Sequence, residues 1–114
     1  GQYLPIRVTT TPGEKPLVRT YTVSAAPSDG FYRISVRRDG VVSSFLHREL
    51  RVGSVIEARA PLGDFTVEAA ERRPLVLLAG GVGITPMLAI LRHVVFEGRR
   101  TRRTRPTWLI HAAR

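Results

Sequence analysis

PLVLLAGGVGITPMLAILRHVVFEG, residues 74–98, decides the fold. Its opening run, Pro74 to Gly81, is continuously apolar, which predicts a strand buried on both faces of a parallel sheet. Glycines at 80, 81 and 83 interrupt it. Thr85 then stands where a helix N-cap belongs and Pro86 at the first helical position, where its missing N–H costs nothing. Met87, Ile90, Leu91, Val94 and Val95 recur on one apolar face, and Gly98 is the expected stop. Beyond an arginine-rich loop, TWLIHAA (107–113) predicts a second buried strand, so residues 74–113 make one β-α-β unit. A glycine turn between a buried strand and a helix is where free N–H groups and the helix dipole favour an anion. The spacing is not GxGxxG, since Pro86 occupies the last glycine position, and no Gly-Lys-Ser/Thr ending marks a P-loop. Ligand binding is the expectation, against a tight turn that binds nothing.

Upstream of this unit the pattern changes to short strands and turns. GQYLPIRV (1–8) and LVRTYTVS (17–24) are extended runs rich in β-favouring residues. FYRISVRR (31–38) sets Tyr32, Ile34 and Val36 against Arg33, Ser35 and Arg37, the alternation of a strand with one buried face. SSFLHREL (43–50) places Phe45, Leu46 and Leu50 at helical spacing behind a serine able to cap, with Gly53 as the end. SVIEARA (54–60) is a further strand, and a polar joint follows at Glu71, Arg72 and Arg73. The expected fold class is therefore an antiparallel β-barrel or sandwich followed by the first β-α-β unit of a parallel α/β domain. The division falls at residues 1–71 and 72–114.

Composition narrows the chemistry. The 114 residues contain no cysteine, which removes disulfides, thiolate metal sites and cysteine nucleophiles. The apolar run around the glycines is roughly a dozen residues, too short to span a bilayer, and no signal-peptide pattern is present, so a cytoplasmic location is the default. The net charge is +9, but Arg99, Arg100, Arg102, Arg103 and Arg105 supply five of those charges, and without them the balance is +4. That loop follows a helix C-terminus, whereas ligands of parallel sheets gather beyond the strand C-termini. It reads as a solvated loop complementing a helix dipole, or as a docking patch for an acidic partner. A non-catalytic basic module binding nucleic acid or an acidic protein through 99–105 is the rival reading, and it leaves both glycine turns unexplained. His47, His93 and His111 are scattered, with no metal-ligand spacing.

Arg19, Thr20, Tyr21 and Thr22 place a permanent cation, a flat ring and hydroxyls on one extended segment; Arg19 and Tyr21 project to one face and Thr22 to the other unless the strand bends. Gly40-Val41-Val42-Ser43 is a second glycine turn running into a helix, hence a second potential anion site. Together GQY, RTYT sixteen residues after its tyrosine, ISVRR, GVVSSFLH, APLGDF and LAGGVGITPML occur in the order found in the ferredoxin-NADP reductase superfamily. The chain most resembles the flavohaemoglobin reductase branch. That resemblance implies a flavin-binding antiparallel barrel followed by an NAD(P)-binding domain, and an enzyme that transfers hydride from NAD(P)H to flavin and passes electrons to a haem, iron-sulfur or protein acceptor such as a ferredoxin.

It further implies that Arg19 neutralises the flavin phosphate, that Tyr21 lies along the ribityl chain and ring, and that Thr22 sits close to flavin N5. Tyr3 matches an FAD-contacting tyrosine, and Thr20 is counted in the same segment. Val36, Gly40, Val41, Val42 and Ser43 would surround the pyrophosphate. Gly81, Val82, Gly83, Ile84, Thr85 and Pro86 would receive the nicotinamide nucleotide, with Thr85 nearest the nicotinamide, and Arg114 would reach its adenosine side. FAD is expected over FMN, and no nucleic acid partner is expected. The family barrel has two strands before GQY and its nucleotide domain continues past HAAR, so the resemblance implies a piece of a longer protein. The isolated 114 residues are expected to hold flavin weakly or not at all and to be inactive. Hydride transfer between cofactors also fits the lack of paired carboxylates or a Ser-His-Asp order.

Overall fold

The computed structural model describes residues 1–113. Strand β1 (Tyr3–Val8) pairs antiparallel with β2 (Leu17–Thr22) on one side. Helix α1 (Val41–Glu49) follows, and then the two-residue β3 (Glu57–Ala58), which flanks β1 on its other side in the order β2-β1-β3. The register sets Leu4 opposite Tyr21, Ile6 opposite Arg19 and Tyr3 opposite Thr22. Directly opposed residues share a face of the sheet. Leu4, Ile6 and Val8 are buried on one face, where α1 covers them with Val42 and Leu46, and Val23 and Ala25 complete this first core. A one-residue slip would turn that apolar row to water, at about 1.5–3 kcal/mol for each aliphatic side chain exposed.

Strand β4 (Leu75–Gly80) and β5 (Thr107–Ala112) lie parallel, joined by α2 (Ile84–Thr101), as the β-α-β expectation requires. The second core is Leu77, Ile90 and Val94, with Met87, Leu91 and Leu109 packed against it and Val67 and Ala69 reaching in from the preceding segment.

The structure corrects several local expectations. FYRISVRR forms no ladder: a single bridge joins Ile34 to Val23, and Tyr32 is exposed although Ile34 and Val36 do pack on the core. The alternation is real, but among the described residues no strand lies alongside to accept its remaining backbone bonds. SVIEARA is likewise reduced to Glu57–Ala58. Helix α1 begins two residues before Ser43, with Gly40 at its N-cap, and ends at Glu49, well before Gly53. Gly40 has φ +96°, a conformation open to glycine at no steric cost, and this lets the chain turn into the helix earlier than a serine cap would.

Helix α2 starts after a 3-10 turn at Gly81–Gly83, so Gly83 is the N-cap and Thr85 lies inside the first turn. The helix also runs through Gly98 to Thr101 and closes on Arg102 at φ +53°. Gly98 is needed there for another reason: Arg103 N–H donates to its carbonyl at 2.9 Å, and a Cβ on Gly98 would stand 2.9 Å from the Arg103 carbonyl oxygen. Val95 is 44% exposed and so falls off the buried face. Strand β4 is buried on one face only, since α2 covers Leu77 while Val76, Leu78, Trp108 and Ile110 stay more than half exposed on the other.

Candidate functional site

Arg19 and Tyr21 sit on the face of the sheet that α1 covers, as their pairing with Ile6 and Leu4 dictates. The Arg19 guanidinium donates to the Val18 carbonyl at 2.8 Å and meets no carboxylate among the described residues, so its charge is available to a ligand. Burial pushes the Tyr21 phenol above its ordinary range, against the opposing pull of the Arg19 charge. The strand does not bend, so Thr22 lies on the opposite face, directly beside Tyr3; Thr20, opposite Pro5, shares that face and is exposed.

Tyr3 is pinned by its backbone, which exchanges hydrogen bonds with Leu62 at 2.8 and 3.0 Å. Its ring lies against Gly63, where a Cβ would come within 3.1 Å of it.

At the N-terminus of α1 the first-turn N–H groups of Val41, Val42 and Ser43 have no intrahelical acceptor, no side chain caps them, and no acidic residue occupies the first turn. Ser43 is buried, and its hydroxyl accepts from the Asp39 N–H at 2.8 Å and donates to the Gly40 carbonyl at 3.1 Å. It therefore fixes the turn instead of capping the helix. The His47 ring Nε2 bonds the Val36 carbonyl at 2.8 Å, tying the 36–40 loop to the same helix.

The second glycine turn is held from two sides. Thr85 Oγ1 donates to the Val82 carbonyl at 3.1 Å, and His111 Nε2 bonds the Gly81 carbonyl at 3.0 Å. Gly81 has φ +50°, and a Cβ at Gly80, Gly81 or Gly83 would meet nothing within 4 Å, so the backbone there is open to close approach. The residues fit the pyrophosphate-bearing cofactors that the resemblance implies: an unpaired arginine and two helix N-termini free of acidic side chains, one of them beside open glycine backbone. The two regions also meet. A Cβ on Gly1 would come 2.7 Å from Pro86 Cβ and 3.1 Å from the Phe65 ring, so the start of α2 abuts the strand that carries Tyr3. Arg114 lies outside the described residues.

Three features escaped the sequence. His47 and His111 hold loops, a role with no spacing signature. Arg105 donates to the Arg73 carbonyl at 2.7 Å and the Glu68 carbonyl at 3.0 Å, and Arg100 pairs with Glu97, so two of the five loop arginines are engaged within the molecule. Asp29 and Arg92 form an ion pair across 63 residues of sequence, which no local pattern could announce. Among the described residues no cluster of metal-ligating side chains occurs, and no helix is long and apolar enough to cross a membrane.

Residues 1–67 match the oxidoreductase FAD-binding domain model, and residues 77–114 match the oxidoreductase NAD-binding domain model. The flavohemoprotein of Bacillus subtilis (strain 168) is 44% identical over the full 114 residues, which span 28% of its length. The flavohem-like FAD/NAD binding domain of nitric oxide dioxygenase from Vibrio cholerae superposes with a TM-score of 0.81 at 36% identity, covering 98% of this chain and 48% of that one. An Amycolatopsis cytochrome P450 reductase gives 0.80 at 30% identity, covering 100% of this chain and 34% of that one. Fold, site and matches define an FAD- and NAD-binding oxidoreductase module. The chain belongs to the oxidoreductase FAD-binding domain family, within the ferredoxin-NADP reductase superfamily. FAD, with NAD(P)H, is accordingly its cofactor set, and the basic-module alternative is not favoured.

Proposed function

We propose that this module takes hydride from NAD(P)H onto FAD and delivers the electrons to a haem, iron-sulfur or protein acceptor, in a cytoplasmic protein. The contact between Gly1 and Pro86 carries the reading, because hydride transfer needs the glycine turn of the nucleotide unit to abut the end of the β1-β2 pair where Tyr3 and Thr22 face each other. FAD, when bound, supplies the chemistry by accepting a hydride and releasing electrons singly or in pairs. The chain supplies binding and orientation. Arg19 neutralises the flavin phosphate, with the N–H groups of Val41, Val42 and Ser43 and the backbone at Val36 and Gly40 as further donors and close contacts. Tyr21 lines the path on the face it shares with Arg19, while Tyr3, Thr20 and Thr22 approach from the other face of the sheet. Gly81, Val82, Gly83, Ile84, Thr85 and Pro86 receive the nicotinamide nucleotide, and the two units divide at residues 71 and 72.

The test is anaerobic mixing of the FAD-loaded protein, as encoded by its gene, with NADH or NADPH while the flavin absorbance is followed. Rapid bleaching is the expected result, and its absence with both nucleotides would sink the reading. Arg19→Ala should weaken FAD retention roughly ten- to a hundredfold, the value of a charge-assisted hydrogen bond to phosphate. The similar proteins include flavohemoproteins, so haem is the first acceptor to try.

A further inference from the structure

Helix α2 meets the flavin-side unit where Val67 and Ala69 pack on the core of Leu77, Ile90 and Val94, and at two further points. One is Pro86 against Gly1. The other is Arg92, six residues and about 9 Å further along the helix, which grips Asp29 on the short 3-10 turn Pro27–Asp29. Between them runs an apolar groove of about 550 Å³ with Val23, Ala25 and Ala26 on one wall and Ala89, Ile90 and His93 on the other. Pro86 stands at the start of α2 and Arg92 at its middle, so these two contacts act on the tilt of its N-terminal half.

The Asp29 end is built as a socket. Its carboxylate accepts Arg92 Nε on Oδ2 and Arg92 Nη2 on Oδ1, both at 3.2 Å, and also the Ala26 N–H on Oδ2 at 3.0 Å. Only 14% of its side chain is exposed. Arg33 is locked beside it by bonds to the Ser24 carbonyl at 2.7 Å and the Ser24 hydroxyl at 3.2 Å. The other ion pairs among the described residues lie within one sheet or between residues at most three apart, so this is the one that joins the two matched segments.

We propose that Asp29 and Arg92 are positioning residues for hydride transfer: the two-toothed grip sets the tilt of α2 and with it the placement of the glycine turn against the Tyr3 and Thr22 face. This rests on the function proposed above. Neither residue touches either cofactor site, so the pair acts only through the helix. A displacement near 1 Å at a reacting centre costs up to about a hundredfold in rate.

The experiment compares Arg92→Gln, Arg92→Lys, Asp29→Asn and the Asp29→Asn/Arg92→Gln pair in the FAD-loaded protein, by the same anaerobic flavin reduction over a range of nucleotide concentrations. Each single neutralisation should slow reduction at saturating nucleotide about tenfold or more, with FAD retention and half-saturating nucleotide concentration unchanged. The double variant should be no slower than the worse single, as expected of one coupled contact. Arg92→Lys keeps the charge without the fork and should recover part of the rate. Arg100→Gln, which breaks an ion pair internal to α2, should keep the original rate. Original rates in Arg92→Gln and Asp29→Asn would overturn the proposal, as would a loss of FAD retention with no change in the rate of the protein still loaded. If the unaltered protein is not reduced at all, the functional reading falls and this role with it, an outcome distinct from a reducible protein indifferent to the pair.

Discussion

Ser43 and Thr85 stand at equivalent places, one at the start of each helix, and both are buried hydroxyls turned back onto the preceding loop. Ser43→Ala strips the Asp39 N–H and the Gly40 carbonyl of their partner and should cost about 1–2 kcal/mol, read as a lower urea midpoint. Thr85→Val keeps the shape but frees the Val82 carbonyl, and about 1 kcal/mol is expected on the same measurement. Gly63 is the third sensitive position. Its φ of +107° and the Tyr3 ring beside it mean that Gly63→Ala must both strain the backbone, at about 1–2 kcal/mol, and displace the ring. FAD retention should fall together with stability; retention unaffected by this change would argue against Tyr3 as a flavin contact. Both helix-start hydroxyl residues were legible in the sequence, but Ser43 lies three residues and Thr85 two residues beyond the cap. Serine and threonine advertise a cap, while the caps are in fact Gly40, at a φ of +96° that suits glycine, and Gly83, in an ordinary right-handed conformation; neither offers a capping side chain.

Among the elements, α2 was the most legible and its end the least. The apolar face of Met87, Ile90, Leu91 and Val94 is there as the periodicity required. Gly98 looked like a stop because glycine usually is one; here it admits the returning chain at Arg103. Gly98→Ala sets about 1 kcal/mol of improved helix propensity against overpacking on backbone worth about 1–3 kcal/mol. A net loss of stability is expected, seen as a lower thermal midpoint; a gain would mean that the loop after α2 yields freely. The strand predicted over 31–38 failed for the complementary reason. Alternation records which side chains face a core, and Ile34 and Val36 do, but a ladder also needs a neighbouring strand, which is a property of the surroundings and not of the segment. Both glycine turns, by contrast, stand where their position between periodic segments puts them, whereas the FAD-then-NAD order came from the family resemblance and not from the turns.

The whole molecule is extended, 53 Å in its longest dimension, with a radius of gyration of 16.3 Å against the ~13 Å of a single compact domain of this length. Two small cores sit side by side, which makes the contacts between them matter. Asp29 links them and is sensitive to acid. The Arg92 hydrogen bonds, followed by the Ala26 N–H, hold its carboxyl below the ordinary value of 3.8. A carboxyl depressed on folding contributes fully above its unfolded value and loses that contribution as pH falls through its lower folded value. Nucleotide-driven flavin reduction should therefore be flat in pH on this account down to about 4 and decline below it, while Asp29→Asn should be slow throughout and lack that decline. A decline of the same shape in Asp29→Asn would assign it to another group.

The sheet face left open by α2 has a consequence of an optical kind. It carries the only tryptophan of the chain, Trp108, 54% exposed beside Val76, Leu78 and Ile110. An indole half in water emits at longer wavelength than one enclosed by aliphatic side chains. Any layer that comes to rest on those four residues will shift that emission toward the blue, so the molecule carries its own unlabelled gauge of whether its second sheet is covered.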